Sequence, residues 1–156
     1  MGNLLLGDEG AGVQAVTALR DSYSFPDNVS FIDGGTMGLD LLPFIEGSDR
    51  LLILDAVDFQ AQPGTVGVIE GKDVHAFLDT KLSVHQIGLP DLLFAAAFTD
   101  ITPPEICLVG IQPGRIETGL QMSAELRENF QALLDAALER LAEWGAGAND
   151  VHCNTI

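Results

Sequence analysis

The sequence predicts an α/β protein, a three-layer α/β/α sandwich around a mostly parallel sheet. Three observations carry this expectation. Short apolar, β-branched runs alternate with longer segments of helical period. Residues 51–54, Leu-Leu-Ile-Leu, are apolar at every position, as a strand covered on both faces requires. Residues 123–144 place Leu126, Phe130, Leu133, Leu134, Ala137, Leu138 and Leu141 on one stripe, with Ser123 as a fitting N-cap.

The elements follow in order. A helix is expected over 10–23 and a strand over 29–33, where Val-Ser-Phe-Ile-Asp runs into two glycines. Helical period returns at 38–45. Strands are then expected at 51–57 and 65–70, and helices at 73–78 and 88–98. A strand at 106–111 precedes the long final helix. Residues 1–145 form one domain on this reading, and 146–156, polar and glycine-rich, form a flexible tail. Leu4 to Leu6 is too short for a buried strand, although an α/β sandwich has a strand ahead of its first helix.

The chain of 156 residues suits one domain, and at this size folding removes roughly 70% of the unfolded chain's surface from water. Hydrophobic residues at 47% and charged residues at 19% exclude intrinsic disorder. Seven Lys and Arg against 23 Asp and Glu give a net charge of −16, which disfavours nucleic acid and anionic membranes as partners and favours a monomer. No apolar run approaches the ~20 residues of a membrane span. The start lacks a basic, then apolar, signal pattern, and the two cysteines have no CxxC spacing. A cytoplasmic location is therefore expected.

Ligands of open α/β sheets gather outside the carboxyl ends of the strands. Asp33 closes the 29–33 strand ahead of Gly34-Gly35, and Asp55 closes the most apolar strand. Asp8 and Glu9 precede the first helix, and His85 precedes the 88–98 helix. Carboxylates with an imidazole make a ligand set for a borderline divalent cation. Plainer roles stand beside these. Asp8 and Glu9 suit a helix N-terminus, Asp33 suits an Asx turn, and His85 suits a local hydrogen bond. Asp55 is harder to explain structurally, because a carboxylate after four apolar residues needs a partner. His75 and His152 read as solvated, and Cys107 as an inert core residue. The patterns GxSxG, HExxH and GxxxxGK[ST] are absent, and the two acids within residues 7–12 oppose a pyrophosphate.

Four segments together resemble the hydrogenase maturation proteases, which trim the large subunit of NiFe hydrogenases. They are Gly-Asn-Leu-Leu-Leu-Gly-Asp-Glu-Gly at 2–10, Asp-Gly-Gly-Thr-Met-Gly-Leu at 33–39, Leu-Ile-Leu-Asp-Ala-Val at 52–57 and Ser-Val-His-Gln-Ile-Gly-Leu at 83–89. Pro63-Gly64-Thr65 and Leu108-Val109-Gly110-Ile111-Gln112-Pro113 fit as well, and the likeness runs from Gly2 to about Trp144. The resemblance implies an endopeptidase that removes a C-terminal extension from the nickel-loaded precursor large subunit. It implies Glu9, Asp55 and His85 as metal-binding residues that sense the substrate's nickel, with no organic cofactor. It also points to Asp33 as functionally important. Family members open with an apolar central strand before the Gly-Asn, so the first central strand is expected to be missing from this sheet.

On that basis a water attacks the scissile peptide, activated by a carboxylate (Asp33 or Asp55) or by the metal, and the backbone of Gly34 and Gly35 offers oxyanion donors. Two rivals keep the same residues. One is a non-catalytic, nickel-dependent chaperone of the precursor, and the other is a small-molecule hydrolase with its own metal.

Overall fold

The computed structural model of the chain describes residues 1–79 and 88–150. After a 3-10 turn at Asp8–Gly10 come α1 (Ala11–Ser22), the short β1 (Tyr23–Ser24), a 3-10 turn at Gly38–Leu41 that runs into α2 (Leu42–Ile45), β2 (Arg50–Ala56) and β3 (Val66–Glu70). α3 (Lys72–Asp79), α4 (Leu89–Phe98), β4 (Glu105–Ile111), α5 (Ala124–Glu143) and β5 (Asn149–Asp150) complete the order. The main sheet has the order β2-β4-β3, and β1 pairs with β5 in a separate two-stranded ribbon.

Strand alternation builds the three layers. Cys107, Val109 and Ile111 of β4 face one core with Leu54, Ala11, Ala15 and Leu19 of α1, and Leu126, Leu133, Leu134 and Ala137 of α5. Ile106 and Leu108 face the other core with Ile53, Val74 and Leu78 of α3, and Leu92, Leu93 and Ala96 of α4. β4 is central, and its residues 106–111 are all buried. The stripe expected on the last helix is the one it buries, and Ser123 caps it by accepting a hydrogen bond from the Leu126 N–H. Cys107 is buried among apolar side chains, and burial, with Glu143 adding, pushes its thiol up to about 11. It is an inert core residue.

The sheet departs from expectation in two places. It is mixed: β2 lies parallel to β4, with Arg50 opposite Glu105, whereas β3 lies antiparallel to β4, with Val66 opposite Ile111. The connection from β2 to β3 spans only residues 57–65 and holds no helix, too little for the crossover that a parallel neighbour needs. The second departure is at 29–33, which forms no strand. Those residues run alongside a groove rather than against a paired neighbour, so the ladder that would define a strand is not made.

Two close approaches hold the layers together. A Cβ at Gly12, on α1, would run into the backbone carbonyls of Leu54 and Met1, so the helix lies directly on the end of β2. On the other face the Phe59 ring covers the paired glycines Gly67 and Gly110 and packs on Phe77 at 5.7 Å. Gly12→Ala forces backbone against backbone, which no side-chain rotation relieves. We expect it to cost about 1–3 kcal/mol in urea unfolding, the range for overpacking a core. A cost near zero would show that α1 does not bear on β2 at this point.

Candidate functional site

The carboxyl end of β2 is the centre of the site. Asp55 is its penultimate residue and is partly buried, and one carboxylate oxygen accepts the Ala56 N–H at 2.9 Å. Burial raises its pKa, opposed by the nearby Met1 amine and by the Ala56 N–H. Glu9, in the 3-10 turn that packs on β2, also has a raised pKa, first from burial and then from the negative charge of Asp55. The charge of Asp55 therefore reaches Glu9, and among the described residues the positive group that acts on Asp55 is the Met1 amine.

Gly2 makes this convergence possible. Its φ of +122° suits glycine, and a Cβ there would overlap the Glu9 carbonyl and stand 3.7 Å from an Asp55 carboxylate oxygen. Its N–H donates to the Gly35 carbonyl at 3.0 Å. Three of the sequence segments that carry the family resemblance thus meet at one residue without a side chain. Asp33 is exposed, and its Oδ1 accepts the Gly35 N–H at 3.0 Å, the Asx turn foreseen as its plainer role. Gly34 is buried beside Met1 and Leu41. The Gly35 N–H is thus already engaged, and an oxyanion would have to take it from Asp33.

Asp8 does something the sequence did not show. It is 1% exposed and caps no helix of its own. Its Oδ2 accepts the N–H groups of Gly114 and Arg115, both at 2.8 Å, and the Ser123 hydroxyl at 2.9 Å, while Oδ1 accepts the Ser123 N–H at 2.6 Å. Burial alone would raise its pKa, but these four donors outweigh it and hold the carboxyl below its ordinary value. The partners lie more than a hundred residues away in sequence, so no local pattern could announce them. Gln112 works similarly on the loop after Asp55, its Oε1 accepting the N–H groups of Phe59 at 2.7 Å and Ala61 at 3.2 Å.

His85 lies outside the described residues, as does His152. Among the described residues no three His, Cys, Asp or Glu side chains are grouped to hold a metal. His75 sits on α3, away from this edge of the sheet.

A sheet covered on both faces, with Glu9 and Asp55 at the carboxyl end of β2, defines an α/β protein with a candidate site at that edge. The chain belongs to the hydrogenase maturation protease family, whose model matches residues 13–144, and is an endopeptidase of that kind. It is 41% identical to the hydrogenase expression/formation protein HoxM of Azotobacter vinelandii, over 95% of this chain and 72% of that one. It is 38% identical to the hydrogenase 2 maturation protease of Escherichia coli, over 95% and 91%. Among solved structures, the hydrogenase maturating endopeptidase HybD from Escherichia coli superposes with a TM-score of 0.89 at 36% identity, covering 96% of this chain and 93% of that one. The protease HybD from Thermococcus kodakarensis gives 0.68 at 26% identity, covering 90% and 94%. No helix among the described residues is long and apolar enough to cross a membrane.

The Asp8 cluster yields a prediction. Asp8→Asn replaces an acceptor oxygen with a donor facing N–H groups, and should cost about 2–4 kcal/mol in urea unfolding. Because the folded pKa is depressed, the stability Asp8 contributes is full above its ordinary value of 3.8 and is lost as pH falls through the folded value. The stability gap between wild type and Asp8→Asn should therefore narrow below pH 4. A gap independent of pH would refute an ionised Asp8 as the anchor.

Proposed function

We propose that this endopeptidase removes the C-terminal extension of a precursor large subunit of a NiFe hydrogenase, and that it recognises nickel carried by that substrate. The observation that carries this reading is the Glu9–Asp55 pair. Both carboxyls have raised pKa values: burial leads at each, and the charge of Asp55 adds to it at Glu9. A dication brought between them would relieve both penalties at once, whereas an empty precursor would leave them standing. His85, from the segment Ser-Val-His-Gln-Ile-Gly-Leu, would supply the third ligand. The relatives named hydrogenase maturation proteases support the substrate class.

Anchoring the nickel would hold the adjoining peptide against the same edge of the sheet, converting a diffusional encounter into a positioned one. A water then attacks the scissile carbonyl, with Asp33 or Asp55 as the carboxylate able to take its proton. The oxyanion falls to the backbone of Gly34 and Gly35 once the Gly35 N–H leaves Asp33. Nickel is thus substrate cargo rather than a resident cofactor. The alternative of a chaperone that binds without cutting is disfavoured by membership in a peptidase family.

Glu9→Gln and Asp55→Asn keep shape and remove charge. Each should lower cleavage of nickel-loaded precursor at least about a hundredfold, read as intact mass of the large subunit, while circular dichroism is unchanged. Nickel-free precursor should be spared by wild type as well. Normal processing by a folded Asp55→Asn variant, or equal cleavage of loaded and empty precursor, would defeat the proposal.

A further inference from the structure

Four large apolar side chains stand in solvent beside the turn that carries Glu9. Leu4 and Leu5 precede the turn, and Ile116 and Leu120 lie on the loop between β4 and α5, all four between 41% and 70% exposed. Backbone hydrogen bonds draw the two segments together. The Gly119 N–H donates to the Leu5 carbonyl at 2.9 Å, and the Gly7 N–H donates to the Gly119 carbonyl at 2.8 Å. A Cβ at Gly119 would meet no atom within 4 Å, so the strip is open between Ile116 and Leu120. At its inner end Leu4 lies against Gly10, in the same turn as Glu9.

Exposed apolar residues scattered singly are ordinary, but four on two bonded segments at the edge of a site form a patch. The patch is also held in place. Asp8 accepts the N–H groups of Gly114 and Arg115 at one end of the loop and of Ser123 at the other. A surface ordered in advance loses less freedom when something binds to it. We propose that this strip is a docking subsite for the extension that the enzyme removes, which crosses it as an extended chain with apolar side chains. The inference rests on the reading of the Glu9–Asp55 edge as the place of cleavage. An endopeptidase holds polypeptide along its cleavage edge, and the strip runs into that edge at Leu4. Its size suits a few residues of peptide, because two folded surfaces that associate stably bury about 800 Å² on each partner. Four partly exposed side chains offer less than that, which sets aside the folded body of the large subunit and a second copy of this chain. A second copy would also bring two net charges of −16 together. The loop's charged side chains, Arg115 and Glu117, pair with each other at 3.8 Å, so recognition here falls to apolar contact.

The test compares wild type with two double variants, Leu5→Ser with Leu120→Ser and Leu5→Met with Leu120→Met, on nickel-loaded precursor large subunit. Both positions are exposed, so both variants should match wild type in circular dichroism. The serine pair should raise KM roughly tenfold with kcat unchanged, because the strip holds substrate without touching the reacting atoms. The methionine pair should behave as wild type. A second arm reads binding without cleavage. It places p-benzoylphenylalanine at position 120 of the Asp55→Asn chain, irradiates it with the same precursor and maps the crosslink by mass spectrometry. The crosslink should fall within the extension. An unchanged KM in the folded serine pair, or a fall in kcat alone, would overturn the proposal. So would crosslinks confined to the body of the large subunit or to a second copy of this chain. Failure of the nickel reading shows separately, as equal cleavage of loaded and empty precursor by wild type, and the KM ratio then still decides the strip.

Discussion

One buried carboxylate ties the first ten residues to the last helix. Asp8 gathers four hydrogen bonds from Gly114, Arg115 and Ser123, and Ser123 is also the N-cap of α5. Removing a carboxylate from water without partners costs several kcal/mol, so the site tolerates Asp8 only because every donor is supplied. The lowered pKa shows which effect wins. The loop after β4, the start of α5 and the turn that carries Glu9 are thereby joined at one carboxylate. Glu9 follows Asp8 directly, so its backbone is anchored next to that buried cluster.

The close approach at Gly2 complements this anchor. Fixing Glu9 is of little use unless β2 delivers Asp55 to the same place, and only a residue without a side chain leaves room between them. Gly12 does the same one layer away, letting α1 rest on the Leu54 carbonyl just before Asp55. Packing and electrostatics then work in opposite directions by design of the fold. Packing forces Glu9 and Asp55 into one partly desolvated region, and their charges resist it. Such a pair is poorly suited to an empty site and well suited to one that is completed by a cation.

Much of this was legible in the sequence, for identifiable reasons. The unbroken apolar run at 51–54 and the stripe on residues 123–144 report burial directly, and both elements lie where expected. Asp55 stood out because a carboxylate closing such a strand demands an explanation. Asp8 was visible only as an acid near a helix start, since the donors that define its role are set by tertiary folding. The antiparallel β3 was hidden because alternation of strands and helices does not reveal that one connection lacks a helix.

The misjudged strand at 29–33 carries the most physical content. Its residues have the composition of a strand, and Phe31 and Ile32 do divide between the two cores. What they lack is a neighbour, because β propensity expresses itself only against another backbone. The same absence leaves β2, apolar on both faces, with one edge unpaired among the described strands. An edge of that kind is ordinarily shielded by charge, proline or a bulge. Residues 51–54 carry none of these. Asp33 and Asp55 follow the two segments that border the groove, so the packing of those segments bears on where both carboxylates stand.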